Sequence, residues 1–256
     1  MLSKRIVKYI QSLSQKKLRD EHQQFIAETP KVVAEFLSAE NFTCKILCAE
    51  RIWLSENVNL LKNILPANIY EIDDITLQKI SLLKTPNKVL TVFDKKLPVP
   101  EPVISGKLSL MLDNIQDPGN LGAIIRNADW FGIDHIICSE NSADCYNPKV
   151  VQASMGSLAR VNVLYVSLHS FIRAHINTGV YATTLYGTSV PELKNIKEGI
   201  ILIGNESRGI SEELLNMATL QITIPRYGNA ESLNAAVATG IILSHIRGPL
   251  SPEGGT

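Results

Sequence analysis

Three loops, each placed after an apolar run, carry the polar side chains best placed for chemistry in this sequence. The first runs Asn114-Ile115-Gln116-Asp117-Pro118-Gly119-Asn120 and continues to Arg126. It turns at Asp117-Pro118-Gly119 and opens a helix capped by Asn120 or Asp117. A helix N-terminus with glycine around it presents free N–H groups to an anion. Arg126, six residues beyond Asn120, is a cation inside an otherwise apolar stretch of Leu121, Ala123, Ile124, Ile125 and Ala128. A purely structural use is also open: Asn120 as a cap only, and Arg126 paired with Asp129 or Asp113. In the second loop, Leu202 to Ser211, Gly204 ends a buried strand where a missing side chain lets a ligand approach the backbone. Ser211 caps a short helix whose first turn holds Glu212 and Glu213, which suits the helix dipole, so Glu206 is the better functional candidate. The third loop, Ile224 to Asn234, leads into a long helix that begins at Ser232, for which an N-cap role is the structural alternative. Asn234 projects from the first turn, and Ala235, Ala236, Ala238 and Gly240 make a face for close packing against another helix.

Several chemistries are excluded. No G-x-G-x-x-G follows a strand with an acid about twenty residues on, and no G-x-x-x-x-G-K-[ST], H-E-x-x-H or G-x-S-x-G occurs. His135, His169, His175 and His245 are scattered. Cys44, Cys48, Cys138 and Cys145 lack the spacing of a zinc site and are too few for a disulfide scaffold, so no metal is expected. Cys44 and Cys48 share a face of a strand and read as buried thiols. With 45% hydrophobic and 20% charged residues the 256-residue chain is neither disordered nor fibrous. No apolar run reaches the ~18 residues that span a bilayer, and the N-terminus lacks an apolar signal core, which places the chain in the cytoplasm. Net charge is zero, but residues 1–98 hold 15 Lys/Arg against 11 Asp/Glu and the remainder 10 against 14. Six basic residues and no acid occupy the first nineteen positions. A basic N-terminal half points to a polyanion, although the same charges fit a solvated helix face.

The elements that must hold the loops alternate. Three prolines at Leu97–Pro102 make a stiff linker, dividing an N-terminal domain (1–96) from a second domain (107–256) through a linker at 97–106. The first domain reads as helices at 4–17, 30–39, 55–64 and 75–83, with Thr29 capping the second, and strands at 24–28, 42–48, 68–72 and 88–93. The second has doubly buried strands at 108–112, 135–138, 161–166, 180–184, 200–203 and 220–224. Helices lie between them at 121–131, 148–155, 168–177 and 212–217, with a last one at 232–247. The fold class is α/β: a mostly parallel sheet covered on both sides, with ligands at the carboxyl ends of its strands, and a smaller α/β domain ahead of it. The tail, 251–256, is loose.

Together NIQDPGNLGAIIRNADWFG, LIGNESRGIS and IPRYGNAESLNAAVATGIIL resemble the three signature motifs of the SpoU (TrmH) family of RNA ribose 2′-O-methyltransferases, within the SPOUT class. VVQASMGSLARVNV and YATTLYG resemble the family's connecting segments, so the resemblance covers ~107–247 almost continuously. Residues 1–95 resemble the family's more variable substrate-binding domain. Two departures stand out: Ala27-Glu28-Thr29-Pro30, where relatives usually show Glu-Gly, and Arg226, where an apolar residue is more usual.

The residues alone draw an unknotted sheet; the resemblance implies a deep trefoil knot whose loops cradle S-adenosylmethionine, leaving S-adenosylhomocysteine. By motif position it puts cofactor contacts on Leu185, Gly204, Ile224 and Leu233, and catalytic roles on Asn120, Arg126, Glu206, Ser232 and Asn234. It implies a homodimer that shares its active sites, no membrane, and RNA as substrate. Ribosomal RNA is favoured over transfer RNA, with a noncatalytic RNA-binding protein as the rival from another class. In such a reaction alignment contributes much of the rate. Arg126 clamps a phosphate and lowers the hydroxyl's pKa, or serves as the proton acceptor; Ser232 and Asn234 orient the nucleotide, and Glu206 positions Arg126 or the cofactor loop.

Overall fold

In the computed structural model, residues 2–96, 104–193 and 196–248 are described. They sort into two units, each with its own sheet. Most of the Pro-rich linker and the whole 251–256 tail lie outside the described residues.

The first unit contains α1 (Lys4–Ser12), α2 (Lys16–His22), β1 (Gln24–Glu28), α3 (Pro30–Ser38), β2 (Cys44–Ala49), α4 (Arg51–Glu56), α5 (Val58–Leu61), β3 (Ile69–Glu71), α6 (Asp74–Ile80) and β4 (Val89–Asp94). Its sheet runs β1-β4-β2-β3, with β4 antiparallel to both neighbours. Alternation along β1 sends Phe25 to one side, against Phe36, Phe93 and Phe42 at 5.3–5.8 Å between ring centroids. Ile26 goes to the other, into a cluster with Ile10, Leu13, Leu77, Ile80, Leu90 and Val92.

Three expected helices differ from those observed. The helix expected at 4–17 breaks after Ser12, because the Ser12 and Ser14 hydroxyls donate back to the carbonyls of Tyr9 and Gln11, which competes with helix continuation. The buried Arg19 guanidinium then takes the exposed ends of the break, donating to the carbonyls of Leu13 (3.0 Å) and Ser14 (2.8 Å). The helix expected at 55–64 starts earlier, at Arg51, because Trp53 is buried and anchors it; it ends where Asn57 donates to the Trp53 carbonyl. Thr29 precedes α3 but caps nothing with its side chain. It takes φ 76°, a conformation natural to glycine and costly for a β-branched residue, where relatives were expected to carry Gly. Beside it the buried Glu28 carboxylate accepts from the Ser81 hydroxyl and Leu82 N–H, and burial raises its pKa.

The second unit contains β5 (Leu108–Leu112), α7 (Pro118–Trp130), β6 (His135–Cys138), β7 (Asn162–Tyr165), α9 (Leu168–Ala174), β8 (Val180–Ser189), β9 (Gly199–Ile203), α10 (Glu212–Leu215), β10 (Leu220–Thr223) and α11 (Ala235–Arg247). α8 (Pro148–Ala153) lies between β6 and β7 in sequence. Six parallel strands run β10-β8-β9-β5-β6-β7, with β5 and β9 wholly buried at the centre. β8 is longer than the expected 180–184. It pairs with β10 on either side of a register jump, Gln221 with Ala182 and then Ile222 with Thr188. Gly187 permits this, since a Cβ there would sit 2.5 Å from the Gln221 carbonyl oxygen. The residues between, Leu185 and Tyr186, are left exposed.

The expected second domain ran unbroken from 107 to 256, whereas Asp144–Arg160, with α8, packs into the first unit. The reason is local chemistry. Asp144 takes both Nε (3.2 Å) and a terminal nitrogen (2.7 Å) of Arg19, and Tyr146 packs 4.8 Å from Phe25 while accepting from the Lys96 N–H. Arg160 pairs with Glu35. Arg19 is therefore a core residue, not part of the basic N-terminal surface, and a cut at residue 98 would strip Asp144–Arg160 of its packing partner. Replacing Asp144 with Ala leaves a buried guanidinium with two carbonyls and no counter-charge. Denaturant unfolding should show a loss of about 3 kcal/mol. An unchanged midpoint would mean that water reaches Arg19.

Candidate functional site

From β5 the chain builds outward through β6 and β7, whereas β9, β8 and β10 lie on the other side. The order therefore reverses between β5 and β9, and in an open parallel sheet the crevice at the carboxyl ends of two such strands is where ligands bind. The first two loops of interest leave from there. They are tied together: Asp113 N–H donates to the Ile203 carbonyl (2.8 Å), the Asn205 amide to the Asn114 carbonyl (2.9 Å), and Ser211 N–H to the Asp113 carboxylate (2.9 Å).

The Gly204 loop closes on itself through paired backbone bonds between Asn205 and Gly209 (3.0 and 2.8 Å). Asn205 Oδ1 also accepts from the N–H groups of Ser207 and Arg208. A Cβ on Gly204 would lie 2.4 Å from the Gly209 carbonyl carbon and 2.5 Å from the Ile210 nitrogen. Room for its own loop is thus the local reason for glycine here, beyond any approach of a ligand.

Of the two capping candidates for α7, Asp117 is the cap: its Oδ1 accepts from Asn120 N–H (2.8 Å), with Pro118 in the first turn. That leaves the Asn120 side chain for other work. Its amide nitrogen donates to the Glu206 carboxylate, and its Oδ1 accepts from Asn234 Nδ2 (2.7 Å). Asn234 Oδ1 in turn accepts from Ala236 and Val237 N–H (2.9 and 3.2 Å), which makes Asn234 the N-cap of α11. Ser232, expected to begin that helix, lies outside it and is exposed. The direction of the line is fixed at both ends. Backbone donors occupy the Asn234 oxygen, so its nitrogen must point outward, and the terminal carboxylate can only accept. Glu206, Asn120 and Asn234, one from each loop, are joined without a free choice of amide orientation.

Arg126 is outside this line. It is exposed on α7 and makes no ion pair among the described residues; Asp113 is engaged by Ser211 instead. Leu185 (62% exposed) and Leu233 (46%) present bare apolar side chains in the β8 excursion and the third loop, and Ile224 is half-buried just past β10. Arg226 reaches the Ala230 carbonyl across its own loop (3.4 Å).

One contributor was not anticipated. Asn127 of α7 donates to the Ala236 carbonyl (2.7 Å), and a Cβ on Gly240 would sit 3.4 Å from the Asn127 amide. Gly240 and the buried Ala235 and Ala236 thus serve α7–α11 packing within the chain, which accounts for part of the small-residue face. A polar residue one position past Arg126, on a helix otherwise lined with apolar side chains, was the available signal. Among the described residues no cluster of three or more His, Cys, Asp or Glu could hold a metal. Burial pushes the Cys44 and Cys48 thiols up to about 12, so both remain protonated at neutral pH. No helix among the described residues is long and apolar enough to cross a membrane.

Residues 107–244 match the family model described as the SpoU rRNA Methylase family, and residues 4–91 match that of the MRM3-like substrate binding domain. The chain is similar to the Bacillus subtilis 23S rRNA (guanosine(2553)-2′-O)-methyltransferase RlmP, with 29% identity over 94% of this chain and 96% of that one. Among solved structures it resembles a TrmH-family protein of Porphyromonas gingivalis (39% identity, TM-score 0.82, 96% of this chain and 98% of that one). It also resembles an AdoMet-bound rRNA methyltransferase of Sinorhizobium meliloti (32%, TM-score 0.84, 96% and 95%).

Asn120→Asp tests the line. The substitution keeps the volume but sets a second carboxylate against Glu206, so one proton is held above the usual carboxylate range. Below that point a shared proton bridges the pair; as pH rises through it the two charges repel and the line opens. Relative to wild type, the variant should unfold with little penalty near pH 4 and with about 1–2 kcal/mol near pH 8. A penalty independent of pH would mean that Asn120 and Glu206 do not meet in solution.

Proposed function

The chain belongs to the SpoU rRNA methylase family, and from that membership we infer that it transfers the methyl group of S-adenosylmethionine to a ribose 2′-hydroxyl of RNA, ribosomal rather than transfer RNA. The observation that carries this reading is the Glu206–Asn120–Asn234 line, which gathers three polar loops at the reversal point of a parallel sheet. The resemblance of both units, over nearly the whole chain, to ribosomal RNA enzymes supports the choice of RNA.

The residues present fit the cofactor. Exposed Leu185 and Leu233 and half-buried Ile224 are apolar side chains free to cover an aromatic base, and the Gly204 loop offers backbone groups at the carboxyl end of β9. When bound, the cofactor supplies an electrophilic methyl group. The chain's own residues do the rest. A guanidinium holds its proton at any physiological pH, and Arg126 forms no ion pair among the described residues, so it serves as a clamp on the phosphate beside the target ribose. Its positive charge also lowers the pKa of the 2′-hydroxyl as the proton leaves. The exposed Ser232 hydroxyl orients the nucleotide. Asn120 and Asn234 have both amide ends engaged and act as positioning residues, and Glu206 anchors their line to the Gly204 loop.

The knot belongs to the same proposal; β9 lying between β5 and β8, and α11 packed on α7, are consistent with it. So does a homodimer. Exposed Val237 on α11 and exposed Leu233 ahead of it are apolar side chains that a second copy could cover. Four cysteines without a disulfide agree with a cytoplasmic setting.

Arg126→Ala should cut methyl transfer to ribosomal RNA about 100-fold or more while calorimetry shows unchanged S-adenosylmethionine affinity. Arg126→Lys should restore little, because an ammonium cannot form the two-pronged phosphate contact. Equal activity of the Lys variant would assign Arg126 a plain charge effect. No transfer by the wild-type protein, with cofactor still bound, would favour the noncatalytic reading. Light scattering should give twice the chain mass of 28.2 kDa; a fully active monomer would defeat the shared site.

A further inference from the structure

Side-chain hydrogen bonds tie α7, and the turn that follows it, to α11 along its length. Near the start of α7 the Asn120 oxygen accepts from Asn234 Nδ2 (2.7 Å). In its middle Asn127 donates to the Ala236 carbonyl (2.7 Å), and past its end the Gly132 carbonyl accepts from Arg247 (2.8 Å). Asn120 and Asn127 are two helical turns apart, so they leave α7 from one face, about 10 Å from each other. Arg126 immediately precedes Asn127 and leaves about 100° round the helix, where it is exposed while Asn127 is half-buried.

The middle tie is not needed to satisfy α11. A carbonyl oxygen has two lone pairs, so Ala236 can accept from Asn127 and keep its place in the helix ladder. Nor is it needed for packing. The amide lies over Gly240, where a Cβ would sit 3.4 Å from its nitrogen, and an apolar side chain of the same size would fill that space. What a directed bond adds is position. Apolar packing leaves a helix free to turn slightly about its axis, whereas bonds at Asn120 and Asn127 hold α7 at two points of one face. Arg126 depends on this, because it forms no ion pair among the described residues. The placement of α7, rather than a partner, sets where its guanidinium can reach. At the end of so long a side chain a small turn of the helix becomes a shift on the order of 1 Å, and a misplacement of that size costs about 100-fold in rate.

We propose that Asn127 is a positioning residue for methyl transfer: its bond to Ala236 fixes the turn of α7 that carries Arg126. The inference deepens the methyl-transfer reading and rests on it. The test is a double-mutant cycle in the full-length protein, with S-adenosylmethionine and ribosomal RNA transcribed in vitro. Asn127→Leu keeps the volume and removes the donor. It should lower kcat about 10- to 100-fold and leave S-adenosylmethionine affinity, measured by calorimetry, unchanged. In the Arg126→Ala background the same substitution should cost less than about threefold, because no guanidinium is left to misplace. Should Asn127→Leu fail to fold, Asn127→Ser, too short to reach the carbonyl, carries the same cycle. Wild-type kcat in a folded variant overturns the proposal, and so does an equal loss in both backgrounds, which would make Asn127 a packing residue. With an active wild-type protein either result removes the positioning role alone. No transfer by the wild-type protein removes the reaction reading and the positioning role with it.

Discussion

A carboxamide has a donor end and an acceptor end, and the arrangement of the three loops depends on that polarity. The N-terminus of α11 offers unsatisfied N–H groups, which fix the Asn234 oxygen and turn its nitrogen outward. That nitrogen fixes Asn120, whose own nitrogen can then only face an acceptor, and Glu206 provides one. A helix end is thereby linked, through two side chains, to a loop on a different strand. Replacing either Asn with a residue that has one kind of group would break the sense of the line, not merely shorten it. This is why residues 86 and 114 positions away from Asn120 in sequence can act as one site.

The strands of the second unit were legible because a doubly buried parallel strand is a near-continuous apolar run, and Leu108–Leu112 and His135–Cys138 fall at their expected limits. β8 was not, because Thr183 to Ser189 pairs only by virtue of Gly187, and a close backbone approach leaves no apolar signature. The motif residues were visible individually, and Asn234 drew notice as an oddity. What sequence could not give is which oxygen faces which donor, so an N-cap stood as the structural alternative for Ser232, whereas Asn234 supplies the cap. Arg19 misled for a related reason: a cation in a basic run reads as surface until a distant Asp144 is known to meet it.

The first unit shows how a domain limit drawn from composition can be displaced by a few side chains. Tyr146 extends the aromatic cluster around Phe25, and Asp144 neutralises a guanidinium that also closes the broken end of α1. Removing Asp144–Arg160 would leave a charge and an aromatic surface bare together. The chain therefore leaves the second unit after Ala143 and re-enters it at Val161 for an energetic reason. Lys95 adds to the same corner, pairing with Asp20 at 2.5 Å while its ammonium lies 5.4 Å from the Tyr146 ring centre.

Hydrogen-bond capacity separates positioning from contact within the site. Asn120 and Asn234 each use both amide ends in the line, so neither amide can turn round without breaking it, although each Nδ2 keeps a second N–H. Asp117 and Asp113 are engaged by backbone donors. Arg126 and Ser232 are exposed, and so are the apolar faces of Leu185 and Leu233. A folded chain gains nothing from an unpaired guanidinium or from two bare leucines, whose burial would each be worth about 1.5–3 kcal/mol. On the proposed reading these are the groups a bound ligand completes, the cation by a phosphate and the leucines by an aromatic base. Glu206 stands between the two classes: one oxygen of its carboxylate holds Asn120, and the other retains its capacity to accept.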